Sequence, residues 1–390
     1  MPETGDGDAG SANQTVDYKA RVERMLRRAA GNASPTRSRS GNRNEGSTKL
    51  LDEGQNVHQR SATARVSAIT RHLVHEAPRR TPVLDSCDVL VVGGGPAGLS
   101  AAIGARRAGA DVILMDRFGC FGGVITTVGM ETLGWYRYEG TTNDTEGIGA
   151  EMERIAQKMG GSTKWPYNDS QCLDADMFKI IADKLVRDSG VRPLLHCFAV
   201  EAIVQDGQVR GIITESKSGR QAILAKRVVD CTGDADVAFL AGAPCRMNAK
   251  SKRMGVTSVF NVAGVDTKRF LEYTEANPAT YKDWSRVWKQ ETSGKEDHLR
   301  TPYLDTEFLE AEKAGALPKV PDHIGIGGSW SALSEAGEAT NLNLVHMRGV
   351  DVTDVVALTK AEMDGREHTV HALKVGFIDR VCSNQLQMRC

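Results

Sequence analysis

The feature that most constrains the fold is a short apolar run, Val89 to Val92, that leads directly into a glycine-rich turn. Such a run is typical of a parallel strand buried on both faces. The turn has the G-x-G-x-x-G pattern at Gly93, Gly95 and Gly98, a helical pattern follows, and a second apolar strand ends in an acid over Ile113 to Asp116. Strand, glycine turn, helix, strand and acid in this order predict a βαβ unit that binds a dinucleotide.

Each glycine has a separate physical role in such a unit. Gly93 permits the tight turn, Gly95 lets a pyrophosphate approach the backbone, and Gly98 allows close packing of the helix on the strand. The free N–H groups at the helix N-terminus favour the phosphates. Asp116 is placed to accept hydrogen bonds from a ribose diol, and its negative charge disfavours the 2′-phosphate of NADP.

Two other interpretations of this run are weaker. A membrane span would require roughly 20 apolar residues, whereas the segment 89–105 is shorter and contains Pro96 and the glycines. A glycine turn without a ligand is the second alternative, and the strand, helix and acid on its two sides argue against it.

Composition excludes several classes of protein. The chain has 390 residues, long enough for two domains, and a net charge of −1 gives no indication of a nucleic-acid partner. The sequence contains no secretory signal or transmembrane segment. Its eight cysteines form no C-x-x-C pair, which is typical of a reducing compartment and predicts a cytoplasmic protein with neither a disulfide framework nor a metal site.

The first 80 residues differ from the rest and are expected to be a disordered polar tail. Their arginines are also compatible with an organelle-targeting segment, although Glu3, Asp6 and Asp8 place acids where such peptides have few.

Beyond the first βαβ unit, the pattern predicts helices over Glu146–Met159 and Asp174–Ser189. The second is expected to bury a face that includes Ile180. Three short strands then alternate in polarity as a β-meander, joined by turns at Asp206-Gly207 and Ser218-Gly219. The three meander strands are predicted over Val200–Gln205, Gln208–Glu215 and Gln221–Leu224. A separate apolar strand follows and ends in a glycine turn, over Val228–Gly233.

In combination these segments resemble the FAD-dependent oxidoreductases of the glutathione-reductase-like flavoprotein superfamily, in the branch related to the fumarate reductase flavoproteins. The resemblance rests on four stretches in the expected order: Val89–Gly98, Asp116–Gly123, Val200–Ile212 and Val228–Asp236. It implies an α/β fold, with a Rossmann-type FAD-binding domain that has a parallel sheet and a three-stranded β-meander, plus a mixed α+β substrate domain. The expected ranges are 1–80 for the polar tail, 85–250 for the FAD-binding domain, 251–375 for the substrate domain and 376–390 for an atypical C-terminal tail.

The resemblance also implies roles for individual residues. The glycines of the first turn would hold the FAD pyrophosphate, Asp116 the adenosine ribose, Gly122 and Gly123 the flavin side, and Val200 the adenine through its backbone. The residues expected to contact FAD are Gly93, Gly95, Pro96, Ala97, Gly98, Asp116, Arg117, Gly122, Gly123, Val200, Thr232, Gly233 and Asp234. For Thr232 to Asp234, a plain turn at the end of a strand is the alternative.

The C-terminal end departs from the family pattern, because no Gly-Asp turn followed by a helix occurs after Lys374. On this ground the sequence predicts weak FAD binding or a chain without turnover. An NAD-dependent dehydrogenase built on the same βαβ unit is a further alternative, and the Gly122-Gly123 and Thr232-Gly233 segments argue against it. Gly325 to Gly328 precede no helical pattern, so a separate nicotinamide domain is not expected.

No catalytic residue follows from the sequence. Cys120, beside the Gly122 turn, is expected to be a small filler rather than a redox group. His346 and Arg348 resemble substrate-binding pairs in type, but structural or surface roles are expected for them. Arg246, Arg253 and His323 are weaker candidates. The predicted activity is oxidation or reduction of a small molecule, and the sequence specifies neither that molecule nor the oligomeric state.

Overall fold

The computed structural model describes residues 76–131, 146–164, 171–276, 306–315, 320–329, 332–334, 336–373 and 382–389. Almost all of the predicted N-terminal tail lies outside the described residues. The same holds for the four aromatic residues that the sequence offers to a second domain, Trp284, Trp288, Tyr303 and Trp330.

The described elements alternate strands and helices in the first half and then form a second, mainly antiparallel region. In chain order they are β1 (Val83–Val92), α1 (Pro96–Arg107), β2 (Val112–Met115), α2 (Val124–Val128), α3 (Ile148–Lys158), β3 (Ser162–Lys164), β4 (Gln171–Leu173), α4 (Ala175–Ser189), β5 (Arg192–Leu194), β6 (Phe198–Gln205), β7 (Gln208–Ser216), β8 (Gly219–Asp230), α5 (Asp236–Leu240), β9 (Val256–Val265), α6 (Thr267–Ala276), α7 (Thr306–Lys313), β10 (Ile324–Ser329), β11 (Ala332–Leu333), β12 (Glu338–Met347), α8 (Val355–Ala372) and β13 (Cys382–Arg389).

The first sheet has six strands in the order β5-β2-β1-β8-β7-β6. Strands β5, β2, β1 and β8 are parallel, whereas β8, β7 and β6 pair antiparallel as the predicted meander. Four parallel strands with their carboxyl ends at one edge and helices between them give the α/β, Rossmann-type arrangement that the sequence predicts.

The meander contains one correction to the sequence-based prediction. Asp206 and Gly207 have φ values of +51° and +69°, the paired left-handed conformation of the two-residue hairpin turn that Asp-Gly favours. The next loop is Lys217-Ser218, with Gly219 already in β8. The predicted separate strands at 221–224 and 228–230 are one continuous strand, because β8 pairs with both β7 and β1.

Helix α4 begins and ends where its sequence predicts, but its buried face is rotated. Asp174 caps the helix by accepting a hydrogen bond from the Met177 N–H at 2.7 Å, and Gly190 ends it in the left-handed conformation. The buried side chains are Phe178, Ile181, Ala182, Leu185 and Val186. Ile180, which the prediction placed on the buried face, is 56% exposed.

The second sheet has the order β10-β12-β9-β13, with β11 paired to β12. Helix α8 packs on one face of it through a core that includes Phe260, Leu342 and Ala361. The Gly325 to Gly328 segment lies within β10, as expected for residues that do not form a dinucleotide turn. Among the described residues no helix is long and apolar enough to cross a membrane.

Candidate dinucleotide-binding site

Backbone hydrogen bonds bring the predicted turns together at the carboxyl edge of the parallel strands. The Cys231 N–H donates to Val92 O at 2.8 Å, and the Gly93 N–H donates to Met115 O at 2.9 Å. The Asp116 N–H donates to Leu194 O at 2.9 Å in the same way. The ends of β1, β2, β5 and β8 are therefore joined side by side, which is where doubly wound sheets bind ligands.

The three glycines of the first turn differ in what a side chain would meet. A Cβ at Gly93 would lie 2.3 Å from Cys231 O, and one at Gly98 would lie 1.7 Å from Gly93 O. A Cβ at Gly95 would meet only Gly123 Cα, at 3.6 Å. Gly93 and Gly98 are thus required by packing of the chain on itself, whereas Gly95 faces open space that a ligand can enter.

Helix α1 begins at this open space with its amides available. Gly95 is its N-cap and Pro96 its first residue, and neither a side-chain cap nor an acidic residue in the first turn satisfies the N–H groups there. Unsatisfied N–H groups and the positive end of the helix dipole form a site that favours an anion. This arrangement fits a pyrophosphate.

The second glycine turn packs directly against the first. The Gly122 N–H donates to Gly94 O at 2.8 Å. Gly123 has φ +55°, and a Cβ on it would lie 2.7 Å from Gly95 Cα. The predicted flavin-side turn and the predicted pyrophosphate turn therefore form one continuous backbone surface.

Asp116 lies at the end of β2 and is only 6% exposed. Its Oδ2 accepts a hydrogen bond from the Gly94 N–H at 2.5 Å, and its Oδ1 accepts one from the Phe118 N–H at 2.7 Å. Each carboxylate oxygen has two acceptor sites, so each retains unused acceptor capacity. The neighbouring Arg117 is exposed and stacks over the Phe118 ring, 4.8 Å from its centroid.

The third predicted turn, Thr232 to Asp234, is organised by a residue that the sequence reasoning did not single out. Asp230 Oδ1 accepts from the Thr232 N–H and hydroxyl at 3.1 and 2.7 Å, and its Oδ2 accepts from the Ala238 N–H at 2.9 Å. The Thr232 Oγ1 in turn accepts from the Asp236 N–H at 2.9 Å. Asp230 is the acid at the end of β8, just before the turn. That position is the sequence signal from which its role could have been predicted.

The charges around this turn favour a cationic neighbour. Burial raises the pKa of Asp236, Asp234 raises it further, and Arg117 opposes the rise. Arg117 is therefore close enough to act electrostatically on the Thr232 turn, although the two lie on loops after different strands.

Val200 stands at a bulge in β6. The register between β6 and β7 steps from Ala199 opposite Thr214 to Glu201 opposite Ile213, which leaves Val200 as the additional residue. A bulge residue does not follow the regular ladder, so its backbone groups are available for other contacts. At the start of the same strand, the Cys197 N–H donates to Asp116 O at 2.9 Å, so β6 begins beside the acid.

A buried acid that the sequence reasoning missed connects this region with the second sheet. Glu131 is 6% exposed, and its Oε1 accepts from the Ala175 N–H, the first amide of α4, at 3.2 Å. Burial raises the pKa of Glu131, while Thr340 of β12 and the Ala175 amide partly offset that rise. No local sequence pattern marks it, because the backbone amide that its side chain binds lies 44 positions away in the chain.

The face of the second sheet opposite α8 is polar. His346 Nε2 lies 2.9 Å from Gly327 O, and its Nδ1 lies 2.9 Å from the Thr257 Oγ1. The ring is therefore assigned as the neutral Nε2–H form, and burial lowers its pKa. Within the part of the chain that the structure describes, the buried Oδ1 of Asn343 has no hydrogen-bond partner.

The remaining sequence candidates lie apart from the glycine turns or bind their neighbours. Both ring nitrogens of His346 have a structural partner, and Arg348 is exposed. His323 lies 3.9 Å from Asp364, Arg253 lies 3.4 Å from Asp351, and Arg246 is exposed. Cys120 Sγ lies 3.7 Å from the Thr126 Oγ1.

A model of the family described as FAD dependent oxidoreductase matches residues 88–384. The chain is 26% identical over 181 residues to a thiamine thiazole synthase of Methanococcus vannielii, which covers 44% of this chain and 65% of that protein. It is 29% identical over 181 residues to the same enzyme of Methanococcus aeolicus, which covers 43% and 61%. The chain thus spans less than two thirds of the length of these relatives.

Among solved structures, the chain is similar to a geranylgeranyl bacteriochlorophyll reductase-like protein from Thermoplasma acidophilum. The TM-score is 0.39 and the identity 15%, and the match covers 78% of this chain and 66% of that one.

Proposed function

The chain belongs to the FAD-dependent oxidoreductase family, and we propose that it oxidises or reduces a small polar molecule bound between the glycine turns and the polar face of the second sheet. The observation that carries this proposal is the contact between two glycine turns at a helix N-terminus that no side chain caps. When FAD is bound, it supplies the transfer of a hydride or of electrons, and the protein supplies binding and orientation.

The first and third turns would hold the dinucleotide. The amides of Ala97 and Gly98 lie at the start of α1 and would donate to the pyrophosphate, which Gly95 leaves room for. Asp116 would accept from the adenosine ribose through its remaining lone pairs. Thr232, Gly233 and Asp234 would form the opposite wall, with Arg117 near enough to both sides to balance the negative charge of the phosphates.

The backbone of Gly122 and Gly123 would pass close to the flavin side of FAD, and the bulged Val200 would contact the adenine. Residues 85–250 would then form the cofactor domain and 251–375 the substrate domain.

The substrate side is proposed from two buried polar groups, Asn343 and Glu131. Asn343 Oδ1 is an acceptor that needs a donor once it is buried. Glu131 has a raised pKa and can therefore hold a proton for longer as the pH rises, which suits proton transfer to or from a substrate. These two groups favour a small molecule that carries a hydroxyl or amino group.

Thiazole formation is not carried over from the archaeal relatives, because the matches cover less than half of this chain. Six of the described cysteines, from Cys87 to Cys245, are free, which supports a cytoplasmic location in the proposal.

The test begins with the absorption spectrum of the purified protein. We expect flavin absorption bands in the visible region. After heat denaturation, we expect a released compound with the mass of FAD. Dithionite should bleach the bands, and an electron acceptor should restore them. Release of NAD, or of no nucleotide, would overturn the proposal.

A further inference from the structure

Helix α8 carries an apolar stripe on the side that faces away from its own sheet. Val356, Met363 and Val370 follow each other at intervals of seven residues and are 75%, 63% and 37% exposed. Ala361 and Gly365 are among the residues that bury the opposite side. At about 3.6 residues per turn the two sets point in opposite directions. The exposed stripe is therefore separate from the core-packing face.

Further exposed apolar side chains lie at and before the N-terminus of the helix. Val352 and Val355 are 44% and 73% exposed, and Met254 is 83% exposed. The Arg253 guanidinium lies 3.4 Å from Asp351, so the Met254 segment reaches the start of α8. Six exposed apolar side chains grouped on one helix and the segment beside it exceed the isolated exposed residues that are ordinary on a protein surface.

Charges beside the stripe indicate what it binds. Lys360 and Glu367 lie on the same flank, at equal distances along the helix from the midpoint between Met363 and Asp364. Lys360 pairs with Asp364 within the helix and remains 67% exposed. Glu367 has no ion pair among the described residues, although Arg366 beside it pairs with Glu362 at 2.7 Å.

We propose that the stripe binds the same stripe of a second copy of this chain, with the two α8 helices antiparallel about a two-fold axis near Met363. In this arrangement each Lys360 faces the partner's Glu367, so the charge contact occurs twice. Val356 packs beside the partner's Val370. Such an interface is self-complementary, as a two-fold dimer requires.

The expected affinity follows from the size of the contact. A helix of 18 residues is about 27 Å long at about 1.5 Å per residue. An interface built on one such helix from each copy is at the small end of specific interfaces. We therefore expect a weak, reversible dimer with a dissociation constant in the micromolar range.

The test is sedimentation velocity on the full FAD-loaded chain across a concentration range that brackets this dissociation constant. The wild type should shift from monomer to dimer, and Val356→Glu or Met363→Glu should remain monomeric throughout. Ile180→Glu is the matched control, since Ile180 is 56% exposed on a different helix, and it should dimerise normally. Circular dichroism of each variant should match that of the wild type, which excludes a general loss of helical structure.

Charge reversal tests the antiparallel geometry. Lys360→Glu and Glu367→Lys should each weaken the dimer about 3- to 10-fold, because two exposed pairs become repulsive. The double variant restores the pairing between copies and should recover affinity. A wild type that stays monomeric, a dimer that survives both stripe substitutions, or charge effects that simply add would each overturn the proposal.

Discussion

Substituting alanine for Gly95 separates what the cofactor requires from what the fold requires. The added Cβ meets only Gly123 Cα at 3.6 Å, and the φ of −68° is accessible to alanine. Alanine is a poorer N-cap than glycine by roughly 0.5–1 kcal/mol. Reduced freedom of the unfolded chain returns about 0.4–1 kcal/mol. The free energy of unfolding of the apoprotein should therefore change by less than about 1 kcal/mol.

Binding should change much more than stability. The methyl group would occupy the space through which a pyrophosphate reaches the α1 amides. A hydrogen bond to a charged group contributes about 1.5–3 kcal/mol. Losing one such bond corresponds to a dissociation constant about 10- to 150-fold higher for FAD.

Two further glycines in the same helix provide control variants for this experiment. Gly104→Ala places its Cβ 3.8 Å from Ile148 Cδ1, an ordinary contact. It should add roughly 0.5–1 kcal/mol of stability and leave FAD affinity unchanged. Gly98→Ala would place its Cβ 1.7 Å from Gly93 O and should prevent correct folding.

Urea unfolding of the apoproteins and fluorescence titration with FAD give the two quantities. A Gly95→Ala protein that binds FAD as tightly as wild type would refute the placement of the pyrophosphate at this turn. A fall of several kcal/mol in the free energy of unfolding of the Gly95→Ala apoprotein would refute the inference that Gly95 faces open space.

Three other predictions concern charge and reactivity. Arg192 binds Asp85, and its guanidinium lies 2.6 Å from Asp111. Arg192→Met should lower the free energy of unfolding in urea by about 2–3 kcal/mol, less than for a fully buried pair because the group is partly exposed. An unchanged urea midpoint would contradict this. Burial raises the pKa of Glu131 above its ordinary 4.5, so the folded state binds that proton more tightly than the unfolded state does. The contribution of Glu131 to stability therefore falls as the pH rises above 4.5. Glu131→Gln should gain stability relative to wild type between pH 4.5 and 7, and a difference that is constant with pH would argue against this prediction. Burial raises the pKa of Cys87 to about 12. Iodoacetamide at pH 8 should therefore label the exposed Cys245 in the native protein and Cys87 only after unfolding. Mass spectrometry of the peptides measures the two labels.

Local patterns in the sequence predict the first half of the fold well. The Gly93 turn, the Asp206-Gly207 hairpin and the end of α4 at Gly190 each depend on neighbours within a few residues, and all three have the expected geometry. The continuity of β8 was missed because Lys226 and Arg227 interrupt the apolar pattern, while pairing with β1 keeps the strand extended.

Contacts between distant segments are what the sequence did not reveal. Glu131 becomes a buried acid only because α4 and β12 meet it. Ile180 has the right spacing for a buried face, but the direction of that face depends on which neighbours α4 packs against.

The pairing of β8 with β1 also has a consequence for biosynthesis. Val92 and Asp230 are register partners, and the Cys231 amide closes the edge of the first glycine turn. The ribosome therefore completes the Gly93 turn long before it makes the strand that forms its other wall. Closing such a long loop is entropically costly and slow. A nascent chain that ends before residue 230 should be unable to retain the nucleotide, so loading with FAD becomes a late checkpoint that reports whether the whole first sheet has been assembled.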